Sequence, residues 1–122
     1  MPASAPGDLP LTELAPGYTT HFANWGGMTI VFDRMQAGQD VSSMLDALPE
    51  GRCQASHWGY LLKGRASVDY GTHAEVIEAG DVYYVAPGHR FTVLEDSEAL
   101  EFTRSDELDV TLSAIRRDSN IE

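Results

Sequence analysis

Apolar and polar residues alternate along most of this chain in short runs. In GGMTIVFDRMQ, Met28, Ile30 and Phe32 fall on one face and Thr29, Val31 and Asp33 on the other. RASVDY sets Ala66, Val68 and Tyr70 against Arg65, Ser67 and Asp69. AEVIEAG, DVYYVAPG, HRFTVLED and ALEFTR follow, broken by Gly71, Gly80, Pro87–Gly88 and Asp96–Ser97. Alternation of period two marks strands with one buried face. Runs this short, with turn residues about every ten positions, predict an antiparallel β-sandwich or barrel.

Two segments break the pattern. SSMLDAL, residues 42–48, reads as a short helix capped by Ser42 or Ser43, or as an ordered loop. SDELDVTLSAIRR, residues 105–117, carries acids in its first turn and Arg116–Arg117 in its last, the polarity that a helix dipole favours. A C-terminal helix is expected there, with a strand as the alternative its β-branched residues leave open. Residues 1–17 hold Pro2, Pro6, Pro10 and Pro16 and are expected to form a flexible N-terminal arm. Residues 18–122 then make one β-barrel domain.

Composition narrows the function. The 122 residues suffice for a single core, and 43% hydrophobic with 22% charged residues is ordinary for a globular protein. Eight basic against 19 acidic residues give a formal charge of −11. That balance argues against nucleic acid and anionic membranes as partners, since both are held by Lys and Arg. No run approaches the roughly 20 apolar residues of a membrane span. The start, MPASAPGDLPLTELAPG, lacks the basic and apolar segments of a secretory signal. One cysteine forms no internal disulfide and fits a reducing compartment, so a cytoplasmic location is expected.

The candidate chemistry lies in CQASHWGYLLKG, Cys53 to Gly64, and in PGHRFTVL. His73, in YGTHAE, reads as an exposed turn residue, and His21 as a packing, surface or pocket residue. His57 enters an apolar run, and His89 shares a face with Phe91 and Val93, so each is either a core histidine or a ligand. Cys53 adds a thiolate to two imidazoles, a common donor set for a divalent borderline metal, with a fourth position left for water or substrate. In a straight strand, however, residues four apart stand about 13 Å from each other. Cys53 and His57 meet only if the chain bends at Gln54-Ala55-Ser56. Without a bend, Cys53 is a small buried hydrophobe.

From about Gly51 to Phe102 the order of motifs resembles the cupins, small jelly-roll β-barrels that often hold a metal. Their first motif has two histidines, a glutamate and a closing glycine; the second runs from a glycine through a strand to proline, glycine and histidine. Gly64 matches the closing glycine, which puts His57 at the glutamate position, Cys53 near the second histidine and Gly51 near the first. GDVYYVAPGH resembles the second motif, with His89 as its ligand. The likeness is greatest to small single-domain cupins bearing the same HWGY and PGH words.

Gly51 offers no side-chain ligand, no glutamate takes the fourth slot, and Val93 stands where asparagine is frequent. The family's usual iron or manganese set of three histidines and a glutamate is thus replaced by Cys53, His57 and His89. Softer ligation favours zinc, with iron, nickel or copper as further candidates. Zinc has no redox chemistry, so dioxygenase activity does not carry over. Tyr60, Tyr84 and Phe91 are the pocket candidates, and Tyr83 competes with Tyr84 for the inward position. Glu101 is expected to face solvent. Two functions follow: a metal-dependent enzyme of lyase, isomerase or hydrolase type acting on a small organic molecule, or a non-catalytic ligand-binding or sensor module with a structural metal or none. Exposed strand edges, and the resemblance, imply a homodimer.

Overall fold

The computed structural model describes residues 3–39 and 48–119, with residues 114–119 as backbone alone. The strands are β1 (Leu11–Ala15), β2 (Tyr18–Trp25), β3 (Met28–Met35), β4 (His57–Asp69), β5 (Ala74–Glu78), β6 (Val82–Val85) and β7 (Arg90–Arg104), followed by helix α1 (Ser105–Ser119). They form one seven-stranded antiparallel sheet in the order β1-β2-β3-β7-β4-β5, with β6 on the other half of β4. This curled, jelly-roll-like sheet is not closed by hydrogen bonds among the described residues. The expected all-β class and the C-terminal helix are both present. The segment 42–48 lies outside the described residues except for Leu48.

The expected flexible arm over residues 1–17 is corrected by β1. Leu11 to Ala15 pair with β2, from Leu11 opposite His21 to Ala15 opposite Tyr18. Pro10 and Pro16 flank this strand instead of interrupting it, which is where proline is tolerated in a sheet. The preceding residues are also packed: Leu9 is buried, and its carbonyl lies 2.9 Å from His21 Nδ1. His21 is therefore a packing residue, set against Phe32 at a ring separation of 6.0 Å.

That covering segment explains β3, which is buried on both faces. Val31, Phe32, Asp33 and Met35 are all buried, as is Thr29. Val31, Asp33 and Met35 line the interior cavity, so the row with the carboxylate is the inner one. The apolar row containing Phe32 faces the other way. Alternation marks the two rows in the sequence, but the covering segment decides what lies outside.

Runs that read as separate strands fuse into two long ones. β4 joins HWGYLLKG to RASVD, and β7 joins HRFTVLED to ALEFTR. Gly64 and the Asp96–Ser97 turn signal meet across the ladder, where the β4–β7 register shifts repeatedly between Leu61 and Ala66. They mark a shared bulge that bends both strands and curls the sheet. Gly64 has φ 92°, and a Cβ there would overlap the Asp96 carbonyl and the Ser97 side chain.

At the opposite end of the sheet, α1 folds back over its mouth. The Ser105 amide donates to the Gly27 carbonyl at 3.0 Å, and the Ser105 and Thr29 hydroxyls are 2.9 Å apart. Two residues on, Glu107 accepts a hydrogen bond from the Ser56 amide at 3.1 Å. No described helix is long and apolar enough to cross a membrane.

Gly64→Ala adds both left-handed strain and a steric overlap, so it is expected to destabilise the fold by about 2–4 kcal/mol. Denaturant unfolding of the variant against wild type measures this.

Candidate metal centre

The backbone first brings Cys53 to His89. Their isolated antiparallel bridge is made by the Cys53 amide donating to the His89 carbonyl at 2.9 Å and the His89 amide to the Cys53 carbonyl at 3.2 Å. Residues 54–56 lie outside the strands, with Ala55 buried, and the chain turns enough across them to bring His57 back to Cys53. This is the bend that the Cys53–His57 spacing requires. β4 starts at His57 with its ring turned back toward the thiol, Cys53 Sγ to His57 Nε2 being 3.7 Å.

The rings of His57 and His89 cross at 5.0 Å between centroids, and one donor atom from each of Cys53, His57 and His89 lies within 4.8 Å of the others. Both imidazoles are held through the nitrogen away from this centre. His57 Nδ1 is 2.6 Å from Thr103 Oγ1 and 3.5 Å from Glu101 Oε1; His89 Nδ1 is 2.7 Å from the Ala86 carbonyl. Such outer partners orient metal-ligating histidines. Sulfur and nitrogen bound tetrahedrally at about 2.3 and 2.0 Å would stand roughly 3.5 Å apart, close to the 3.7 Å between Cys53 Sγ and His57 Nε2. The donor set fits a divalent metal ion.

These three residues form part of the wall of a cavity of about 120 Å³ inside the sheet. Phe91 lines it, as expected. Tyr60 and Tyr84 do not: they point outward and are 43% and 50% exposed. Their placement follows from alternation, because His57, Gly59 and Leu61 face inward on β4 and Tyr83 and Val85 face inward on β6. Gly59 pairs with Tyr83 on one side and Glu101 on the other. A Cβ on Gly59 would overlap the Tyr83 phenol ring. The tyrosine therefore reaches across the glycine and donates its hydroxyl proton to Glu101 Oε2 at 2.5 Å. Gly59 leaves the room that selects Tyr83 once the register of β6 on β4 is set.

Glu101, expected in solvent, thus belongs to the cavity, its side chain 18% exposed. Val31 is its partner on β3. That register puts it diagonal to Asp33, a second inward carboxylate that patterning did not single out. Burial, and then the nearby Glu101 charge, raise the Asp33 carboxyl to about 7. Burial and the Asp33 and Glu101 carboxylates raise Tyr18 and Tyr83 well above the ordinary phenol value. Burial pushes the Cys53 thiol up, but the His57 and His89 rings outweigh it and bring it to about 5. Burial opposes charge on His57, yet Glu101 and the Cys53 sulfur raise it to about 9. Without metal, thiol and imidazole form a thiolate–imidazolium pair.

α1 completes the enclosure. Leu108, Thr111 and Leu112 line the cavity, and Thr111 Oγ1 approaches Cys53 Sγ at 3.3 Å.

No family model matches the chain, and no curated protein does. Solved structures do. An RmlC-like cupin from Shewanella frigidimarina aligns at TM-score 0.61 and 15% identity over 84% of this chain and 92% of its own. KdgF from a Halomonas species aligns at 0.57 and 15%, over 84% and 94%. Fe(II) HppE aligns at 0.60 and 10%, over 84% and 60%. The chain has the cupin fold.

The raised Asp33 carboxyl gives a signed pH dependence. Between its unfolded value of 3.8 and about 7, the folded state holds a proton that the unfolded state releases. Stability from this group therefore falls as pH rises through that interval and levels above it. Glu101, Tyr18 and the His57 ring face the group and contribute to the shift. Wild type is expected to lose a few kcal/mol relative to Asp33→Asn between pH 5 and 7.5. Paired urea titrations across that range measure the difference.

Proposed function

We propose that this cupin-fold chain binds a divalent metal through Cys53, His57 and His89 and acts on a small organic molecule held in the cavity. The observation that carries the reading is the convergence of three donor side chains on the wall of a cavity lined by ionisable groups. A bound ion would polarise a carbonyl or lower the pKa of water, chemistry suited to a lyase, isomerase or hydrolase. Zinc is favoured by the sulfur ligand, with iron, nickel and copper as further candidates. HppE, described with Fe(II), and oxalate decarboxylase from Bacillus subtilis, at TM-score 0.58 and 18% identity, are metal- and enzyme-named neighbours that support a catalytic use of this fold.

The chain's own residues supply the remaining parts. Thr103 and the Ala86 carbonyl orient the two rings, so the donors are positioned before any ion arrives. Tyr83 and Glu101 share a proton across Gly59, next to His57, and are the proposed proton donor and acceptor. Leu108, Thr111 and Leu112 of α1 and the aliphatic wall line the cavity that this pair faces. The alternative, a non-catalytic ligand-binding or sensor module, gains support from the closeness of Thr111 to the thiol, which crowds the remaining coordination position. The buried thiol suits a reducing compartment, and a cytoplasmic location is part of the proposal.

A second copy of the chain is the proposed partner. The outer face of β4, β6 and β7 places Trp58 beside Tyr84 and Phe102, and Tyr60 beside Val82 and Leu100. Val82 is 83% exposed and Trp58 48%. A contiguous apolar row on so acidic a chain is better suited to self-association by its face than the polar sheet edges are.

His89→Ala is expected to abolish stoichiometric metal in protein purified without added ions, and elemental analysis decides it; full occupancy in the variant would defeat the reading. Thr103→Val, which keeps shape but frees His57 Nδ1, should weaken metal binding about ten- to a hundredfold, as read by competition with a chelator. For the partner, Trp58→Lys with Tyr84→Lys is expected to yield monomer in sedimentation velocity where wild type sediments as a dimer.

A further inference from the structure

The cavity has a second polar locus away from the thiol and imidazoles. Thr20 on β2 and Asp33 on β3 are register partners with side chains on the inner face. Both are buried, at 3% and 6% exposure, and among the described residues Thr20 Oγ1 and Asp33 Oδ1 find no partner at full hydrogen-bond geometry, although Thr20 and the Tyr18 hydroxyl both face the Asp33 carboxyl. Leaving buried polar atoms short of full hydrogen bonds costs up to about 1–3 kcal/mol each. Valine at these positions would fill the same space without that penalty, so polarity here has a use other than packing. Glu101, diagonal to Asp33, gives the locus a second carboxylate, and among the described residues no lysine or arginine lines the cavity.

We propose that Thr20 and Asp33 form a recognition subsite for the hydroxyl group of a small, compact, otherwise apolar ligand. The proposal rests on reading the cavity as a ligand site and does not require the metal.

A hydroxyl both donates and accepts, so it pairs with Thr20 and Asp33 whichever state the carboxyl is in. A carboxylate head would meet Asp33 and Glu101 with no cation beside them, and its burial is unfavourable. An ammonium head needs the carboxyl ionised in a buried site. The rest of the ligand faces Val31, Met35, Leu61 and Phe91, which calls for a hydrocarbon body. A volume of about 120 Å³ is near the roughly 150 Å³ cavity known to take benzene, which sets the scale at one six-membered ring.

The test titrates cyclohexanol, cyclohexylammonium and cyclohexanecarboxylate into the full chain, with dissociation constants read by NMR. Cyclohexanol is expected to bind wild type at least about tenfold more tightly than the carboxylate, a gap that one charge-selective contact supplies. The near-isosteric Thr20→Val should weaken cyclohexanol about tenfold without changing metal content. Asp33→Asn should narrow the gap by admitting the carboxylate. Equal affinity for alcohol and carboxylate in wild type, tighter binding of the ammonium, or an unchanged alcohol affinity in Thr20→Val would overturn the assignment. Metal content of the same samples separates the two readings. Metal-free protein that binds cyclohexanol through Thr20 upholds the subsite and sinks the metal centre; metal-loaded protein indifferent to all three probes does the reverse.

Discussion

The backbone pairing of Cys53 with His89 is the contact on which the site depends. It joins two loops that belong to different parts of the chain, and it does so with main-chain hydrogen bonds that need no particular side chain. Once Cys53 is fixed beside His89, the buried Ala55 and the Ser56 amide, held by Glu107 of α1, set the path back to His57. Donor spacing is therefore a product of core packing and ladder geometry. An ion would find its ligands already assembled, and the entropy of gathering them is part of folding.

How far the sequence reveals this can be judged residue by residue. Period-two alternation identifies the strands, and the HWGY and PGH words hold His57 and His89, with Cys53 four residues before the first; both signals are local. Facing is not local. Tyr84 and Tyr83 are equivalent until the register of β6 on β4 is known, and Glu101 reads as solvent-facing until Gly59 is seen to leave room beside it. β3 is the sharpest case. Its apolar row looks inward by pattern, yet the carboxylate row lines the cavity, since residues near Leu9 cover the other side. The same covering segment turned an arm rich in proline into an ordered edge, with β1 fitted between Pro10 and Pro16.

The interior is more acidic than a small core needs to be. Asp33, Glu101, Tyr18 and Tyr83 share it with aliphatic side chains, and burial drives each of Asp33, Tyr18 and Tyr83 toward the neutral form. Neutral acids in an apolar wall act as hydrogen-bond donors that water cannot reach, the property required of both a proton donor and a selective binding group. Such positions reduce stability where Val or Leu would add to it, which is the pattern of residues kept for function.

Glu101 connects the polar interior to the donor cluster. Its Oε1 stands 3.5 Å from His57 Nδ1 while its Oε2 takes the proton of Tyr83. Where the cupin pattern has a glutamate among the ligands, this chain has His57, and a glutamate from β7 stands behind that histidine instead. A carboxylate behind an imidazole raises its basicity, which strengthens it as a ligand and equally strengthens its hold on a proton. His57 accordingly retains its proton to about pH 9 in the metal-free chain. Since Nδ1 faces Thr103, the ion and the thiolate's partner proton compete for Nε2. Glu101 thus raises the basicity of His57 and, through Tyr83, carries the same charge balance into the cavity.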